Sequence, residues 1–539
     1  MVPEEIAPKP DTYSLRPVVM GKGGMVVAGT PLAAQAGARM LARGGTAADA
    51  AIAAAAVQAV VMPHMSGFGG DLFLLHAGSD GTVRALNASG PAPASATVEA
   101  YRARGFQAVP VRGIEAVSVP GAVHGWFRTL RELGRLRPAE VFEPALGYAQ
   151  EGFPVHKNFI RYLGSRAFRV LSQTYPVLAQ QYLRHGRLPD AGARLVQPEL
   201  AQTIRRVIQD GPDGFYRGET ARLIARSSAD LGGFLAEGDL ARYESQWVTP
   251  IATTYQGLHV FHVPPNSQGV TMLEQLRALE LFDLVALGHN SAAYIHLLVE
   301  VKRAAFADRD RLVADPDVVR VPVEEFLSVQ KAREFQKAFD PQHASGGHTT
   351  PKQPGGDTTC LVAVDKEGNA VSLIQSLYEE FGSGVFIEGA GFVLHDRLCG
   401  FTLEPGHPNV LAPGKRPLHT LCCSLVTKGN RLVLAFATPG GHSQTQTLVQ
   451  VLQNFLTYGM DVQEAIEAPR FVHTGAQVLL EKRIPESVRS ALEQRGHLVD
   501  YLPEWSTLVG GCAAIAIHPE EGTRQGGADP RRDSYAVAV

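Results

Sequence analysis

The chain has 539 residues, 45% of them hydrophobic, and a net charge of −3 at pH 7. That is ample apolar material for a large core, and length alone suggests three or four domains or one large layered fold. The charge leaves no basic field of the kind a nucleic-acid-binding protein carries, so no nucleic-acid partner is expected.

The N-terminal stretch MVPEEIAPKPDTYSLRP has acids and prolines where a secretory leader needs a basic region and an apolar core. It reads as the start of a cytoplasmic protein. TPLAAQAGARMLARGG, 30–45, has helical spacing and a glycine stop. TAADAAIAAAAVQAVV, 46–61, opens with Thr46 and Asp49 in a capping-box pattern. The run from Ala50 to Pro63 is alanine-dominated and shorter than the ~20 residues needed to cross a bilayer. A buried helix is expected there, and no membrane partner. LFLLHAG and VRALNASG, parted by SDGT, predict a hairpin. From 115 to about 340 the segments read as mostly helical.

DPQHASGGHTTPKQPGGD, 340–357, has the composition of a surface linker. The character then changes. TTCLVAVD, a KEGN turn and AVSLIQSL predict strand, turn, strand, apolar enough to be covered on both faces. RLVLAFATPGG, 431–441, is another strand ending in glycines, and 445–460 is an amphipathic helix with Leu448, Leu452 and Phe455 on one face. Helices, buried sheets and helices again suggest layers of α-β-β-α. The five cysteines, Cys360, Cys399, Cys422, Cys423 and Cys512, are odd in number and read as buried free thiols. No spaced metal motif occurs, so neither a metal nor a cofactor is expected.

Among the glycine-rich stretches, SGFGGD, 66–71, lacks the GK[ST] ending of a phosphate loop. FGSGVFIEGAG, 381–391, lacks the strand-to-helix context of a dinucleotide site. Chemistry therefore points to Thr358, where the loop meets the strand. A threonine hydroxyl is a poor nucleophile unless a base activates it. Placing it first in a chain makes its own α-amine the base, with a pKa near 7.7–8.0. An internal Thr358 needs one cut, between Asp357 and Thr358. Its hydroxyl can make that cut by attacking the Asp357 carbonyl to form an ester that water opens. Thr349-Thr350, also a pair in the loop, is followed by Pro351 and Lys352 rather than a strand. On local composition alone, Thr358 is also a β-branched residue suited to a strand start.

Motifs spread along the whole chain decide between these readings. GARMLARGGTAADAAIAAAAVQAVVMP, SVPGAVHGWFRTLRELGRL, PPNSQGVTMLEQL, FADRDRLVADPDVVRVP, DTTCLVAVDKEGNAVS, KRPLHT and ATPGGHSQTQT together resemble the γ-glutamyltransferase (glutathione hydrolase) family of N-terminal nucleophile hydrolases. The resemblance implies a four-layer αββα sandwich and an autoprocessed precursor. It implies a large subunit of 1–357 and a small subunit of 358–539 forming one structural unit, and is compatible with a homodimer of heterodimers. It also implies a small-molecule amide substrate. By position, Thr358 matches the nucleophile, Ser376 the second hydroxyl that activates it, and Gly440 and Gly441 the oxyanion-hole turn.

The head-group ligands of the family are altered. Its carboxylate-binding arginine falls at Ala96 and its serine pair at His419-Thr420. Its ammonium-binding aspartate falls at Gly400 and an asparagine at Tyr378. Arg397 is new, and reads equally as a clamp for a substrate carboxylate or as a partner for a nearby acid such as Asp396. Arg102, Arg104 and Arg112 are alternative replacements for the lost arginine. Tyr378, Arg397, His419 and Thr420 are thus the candidate substrate-binding residues. The segment 402–414 is shorter than the family's lid loop, which favours hydrolysis over transpeptidation. The expected activity is hydrolysis of γ-glutamyl or related small acyl amides. The alternatives are an oxamate-type or cephalosporin-acylase-like amidohydrolase for a carboxylate substrate lacking an α-amine, and a non-catalytic binding protein on the same scaffold.

Overall fold

The structure is a computed structural model that describes residues 14–346 and 357–539. The N-terminal stretch as far as residue 13 and the linker residues 347–356, including Thr349-Thr350, lie outside the described residues.

In chain order the main elements are β1 (Val19–Gly21), β2 (Met25–Ala28), α1 (Pro31–Ala42), α2 (Ala47–Val61), β3 (Asp71–Ala77), β4 (Val83–Ala88), α3 (Ala122–Leu133) and α4 (Pro138–Glu151). Next come β5 (Gln246–Val248), β6 (Ile251–Tyr255), β7 (Leu258–His262), α5 (Gly269–Leu279) and α6 (Ala292–Leu312). After the linker follow β8 (Asp357–Val364), β9 (Ala370–Tyr378), β10 (Cys423–Lys428), β11 (Arg431–Ala437), α7 (Gln444–Leu456) and α8 (Val462–Glu467). The chain ends on β12 (Ala513–Ile517), β13 (Arg524–Ala528) and β14 (Tyr535–Ala538).

Two seven-stranded sheets form the centre. One runs β14-β2-β8-β9-β3-β4-β5 and the other β1-β13-β12-β11-β10-β7-β6, with antiparallel neighbours throughout. Alternation along β8 shows why they stack. Cys360, Val362 and Val364 pack between the sheets with Phe73, Ile374, Leu425, Ala435 and Ile515. Leu361 and Ala363 point the other way, into the core beneath α2 and α4. Helices α5, α6, α7 and α8 cover the far face of the second sheet. This is the αββα order expected from the sequence.

Helix α2 is the innermost helix. All its residues are buried, which its alanines allow because a second helix and a sheet can approach closely. The predicted capping box is present: Thr46 N–H donates to Asp49 Oδ2 (2.8 Å), and Asp49 N–H to Thr46 Oγ1 (3.3 Å). The helical reading of 115–340 is corrected at two places, the first a short antiparallel pair of Phe153–Pro154 with Arg194–Leu195. Residues 246–262 form β5, β6 and β7, and β6 turns into β7 through Gln256 and Gly257, both at positive φ. Four of the five cysteines are buried and Cys399 is half-buried; all are free thiols. Among the described residues no helix is long and apolar enough to cross a membrane.

Candidate active site

Strand β8 begins at Asp357, so Thr358 is its second residue and is buried. The register slips here. Asp357 pairs with Tyr378 but Thr359 pairs with Gln375, a bulge that sets both Ser376 and Leu377 opposite Thr358. Bulges re-aim side chains, and this one brings the Ser376 hydroxyl to the Asp357–Thr358 peptide. Thr358 Oγ1 donates to Ser376 Oγ (3.1 Å), and Ser376 Oγ donates to the Asp357 carbonyl (2.8 Å). Tyr378 N–H donates to Ser376 Oγ (2.7 Å). A hydroxyl has one proton and two lone pairs, so Ser376 is fully used. It thus links the Thr358 hydroxyl to the Asp357 carbonyl.

The Asp357 carboxylate is fixed by Arg532, whose Nη1 donates to Oδ1 at 3.0 Å. The ion pair is almost fully buried, and it pushes the arginine pKa upward against the effect of burial. A cavity of about 300 Å³ opens beside it, lined by Asp357, Arg161, Tyr162, Glu380, Gly440 and Arg532 among others. Gly440, in the Pro439-Gly440-Gly441 turn, therefore lines the same space as Asp357. Gly440 has φ +128°, and a Cβ there would lie 2.5 Å from Ser443 Oγ. Among the described residues neither Gly440 nor Gly441 N–H finds an acceptor. Free backbone donors held rigidly beside a carbonyl can stabilise an oxyanion. Gln268 anchors the turn, its Nε2 donating to Gly441 O (3.1 Å) and Thr420 O (2.8 Å).

A second group of side chains lies on the β9 side. Tyr378 ends β9 at φ +80°, in the left-handed region that a bulky residue rarely occupies. The Arg397 guanidinium lies 4.0 Å above its ring, and its Nη1 donates to Thr420 Oγ1 (3.2 Å). The Tyr378 hydroxyl meets His442 Nε2 at 3.3 Å, and Arg309 Nη1 donates to His442 Nδ1 at 3.0 Å. Since a guanidinium only donates, His442 carries its proton on Nε2. Burial pushes His442 well below its ordinary pKa, so it is neutral.

Asp71, at the head of β3, organises this region. Its Oδ2 lies 3.0 Å from His419 Nε2, 3.3 Å from His395 Nδ1 and 4.0 Å from Arg397 Nε. Burial alone would raise the Asp71 pKa, but the two imidazoles hold it well below the carboxylate range. His419 is pushed down to about 3, chiefly by burial and by the Arg397 charge. Its other nitrogen accepts from Leu421 N–H (3.3 Å), so neither ring nitrogen is left for a ligand. His419 thus acts through Asp71.

The structure brings Asp357, Thr358, Ser376, Gly440 and Gly441 to one place, with Tyr378, Arg397 and Thr420 on its flank. The acid facing Arg397 is Asp71 rather than Asp396. Asp396 instead stands 3.8 Å from Arg112 Nη1, and the same guanidinium reaches Glu379 at 3.8 Å and donates to the Glu380 carbonyl. Arg102 and Arg104 donate to the Leu403 and Gly232 carbonyls. Ala96 is fully buried in an apolar cluster with Tyr101, Phe234, Leu403 and Leu411. Sequence reasoning missed Asp71, Gln268, Arg309, His395, His442 and Arg532. Gln268, Arg309 and His442 lie inside the stretches that carry the family resemblance and Asp71 ends SGFGGD, but nothing in those stretches assigns them a role.

Four layers, with a threonine near the head of a central strand and its hydroxyl linked to the preceding carbonyl through Ser376, define an N-terminal nucleophile hydrolase. Comparison with known proteins narrows this: the chain belongs to the gamma-glutamyltranspeptidase family, whose model matches residues 33–539. It is 39% identical to the glutathione hydrolase-like YwrD proenzyme of Bacillus subtilis (strain 168), over 97% of this chain and 99% of that one. It is 35% identical to the oxamate amidohydrolase proenzyme of Klebsiella pneumoniae, over 95% and 98%. The crystal structure of a cephalosporin acylase from Bacillus halodurans matches with a TM-score of 0.92 at 36% identity, covering 98% of this chain and 99% of that one.

Proposed function

We propose that the protein is an autoprocessed threonine amidohydrolase whose preferred acyl group carries a carboxylate and no α-ammonium. In the precursor, Thr358 Oγ1 attacks the Asp357 carbonyl and passes its proton toward Ser376. Ser376 and Arg532 hold the peptide still while this happens. The C–N bond breaks, the nitrogen takes up a proton, and the resulting ester is opened by water. The products are a chain ending in the Asp357 carboxylate and a chain beginning with the Thr358 amine. That amine is then the general base for Thr358 Oγ1 against a substrate amide, with the Gly440 and Gly441 N–H groups meeting the oxyanion. Water releases the acid. The close passage Thr358–Ser376–Asp357 supports the processing half of this reading.

The state of Arg397 carries the substrate half. It is 1% exposed, and Nε and Nη2, the side-on edge of the guanidinium, make no hydrogen bond. Buried donors without partners are costly; Nε faces Asp71 Oδ2 at 4.0 Å, beyond hydrogen-bond reach, and a substrate carboxylate would supply the acceptor that Nη2 lacks. For an ammonium the provision is poorer. Gly400 stands at the family's aspartate position, and a Cβ there would lie 2.8 Å from the Leu418 carbonyl. Among the relatives, the one named for oxamate supports a carboxylate-bearing acyl group, beside others named for glutathione and for cephalosporins.

The segment 402–414 supports hydrolysis over transfer. Leu403 and Leu411 are buried in the Ala96 cluster, so the segment is packed down rather than hung over the site. The test is a panel of oxamate, glutaryl-p-nitroanilide and γ-glutamyl-p-nitroanilide, with and without glycylglycine, on wild type and Arg397→Gln. Oxamate or the glutaryl amide is expected to be preferred, with KM raised at least tenfold in the variant. A preference for the γ-glutamyl amide that survives Arg397→Gln would overturn the substrate reading, and abundant γ-glutamyl dipeptide would overturn hydrolysis.

A further inference from the structure

Away from the nucleophile, α6 carries His296 and Glu300 one helical turn apart, on one face. Both are buried, and facing them is buried His497, which precedes the strand Leu498–Leu502. One ligand atom from each of the three lies within 4.8 Å of the others.

The hydrogen bonds settle which atoms hold lone pairs. His296 Nε2 is 2.8 Å from the Asp340 carbonyl, which only accepts, so Nε2 carries the proton and Nδ1 a lone pair. That Nδ1 points at His497 Nε2, 2.7 Å away. His497 Nδ1 is buried without a partner, as is Glu300 Oε1, whose nearest cation is Arg303 Nε at 3.6 Å. Glu300 Oε2 accepts from Ser345 N–H at 3.3 Å. Two imidazole nitrogens and a carboxylate thus converge with their hydrogen-bonding capacity half used. Histidine ligands of metals generally donate the other ring N–H to a carbonyl or carboxylate, as His296 does to Asp340.

We propose that His296 Nδ1, His497 Nε2 and the Glu300 carboxylate form a binding site for a divalent transition ion of the zinc type. The donor set of two imidazoles and one carboxylate suits zinc better than calcium or magnesium, which take oxygen ligands. Tetrahedral Zn–N bonds of ~2.0–2.1 Å separate two nitrogens by about 3.3 Å. The imidazole pair need open only by roughly half an ångström, with the carboxylate closing in through its side-chain torsions. The proton now shared between the rings moves to His497 Nδ1, so binding releases none. The cover over Glu300 is thin: residues 341–343, 345 and 346 are exposed, which gives an ion a way in.

The placement gives the ion a task. His296 and Glu300 precede Thr358 in the chain and His497 follows it, so the ion would clamp α6, with the segment leading to the linker that bonds it through Asp340 and Ser345, onto the far side of the cut. Arg495 already holds that segment, donating to Pro341 O (3.2 Å) and accepting from Ala344 N–H (2.7 Å).

Chelator-treated full-length protein is titrated with zinc chloride by calorimetry, and with cobalt chloride by visible absorption. The expected result is one zinc per chain and the intense d–d bands of a four-coordinate cobalt site. Both should weaken at least tenfold in His497→Ala and in the near-isosteric Glu300→Gln. Circular dichroism melts check folding, and Glu300→Gln serves if His497→Ala does not fold. Absence of zinc binding to the wild type, or equal affinity in wild type and a folded variant, would overturn the proposal.

Discussion

Ser376→Ala tests the processing chemistry most directly. The hydroxyl has three partners, at 2.7, 2.8 and 3.1 Å, and the substitution removes them all. Two of the losses fall in different places. Tyr378 N–H is left buried and unpaired before and during reaction, which costs about 1–3 kcal/mol of stability and little rate. The donor to the Asp357 carbonyl matters most as that oxygen becomes an anion. Losing one such donor costs ~10²–10³ in rate, or ~2.7–4 kcal/mol. The assay follows intact mass as the 539-residue precursor converts to chains of 357 and 539 − 357 = 182 residues. Ser376→Ala is expected to slow conversion by ~10²–10³, and Ser376→Thr, which keeps the hydroxyl, to restore most of it. Conversion of Ser376→Ala within a factor of about two of wild type would refute the reasoning, because the hydroxyl could then be neither relay nor oxyanion donor.

Other outcomes follow from single features. Gly440→Ala forces a Cβ to 2.5 Å from Ser443 Oγ at φ +128°. It should cost about 1–3 kcal/mol in denaturant melts and depress amide hydrolysis; an unchanged melt would show that the turn is not constrained. Leu361→Ala, fully buried in β8, should cost about 2–5 kcal/mol by the same measurement. Burial holds His419 and His262 down to about 3, far below an unfolded histidine near 6.5. Between those values the unfolded chain binds more protons, so stability is complete above about pH 6.5 and falls as pH drops, by up to ~1.4 kcal/mol per unit per group. His419→Gln should flatten that fall in urea melts at pH 7 and pH 5, and an unchanged slope would remove His419 from the account.

Much of this was legible in the sequence because it rests on local rules. The Thr46–Asp49 box starts α2, and the apolar runs around KEGN give β8 and β9. The resemblance then assigned Thr358, Ser376 and the glycine turn. What escaped reading depends on distance. Gln256-Gly257 is an uncommon hairpin pair, so the alternation in 251–262 was passed over among helices. Asp357 meets Arg532 across 175 positions, and Asp71 meets His419 across 348, separations over which no periodicity acts. The bulge that aims Ser376 is a register slip between two strands, and a register is a property of the pair rather than of either strand.

The strand order of the first sheet bears on what a cut after Asp357 leaves behind. β2 lies between β14 and β8, so a strand from the leading piece is flanked on both sides by strands from the trailing piece. In the second sheet β1 closes one edge while β6 and β7 close the other, again enclosing strands of the trailing piece. The two products are interleaved like the fingers of clasped hands. Dilution therefore has no dissociation constant to act upon short of melting both sheets. Parting the chains and unfolding them are one event, observable as a single transition whose midpoint falls as the protein is diluted.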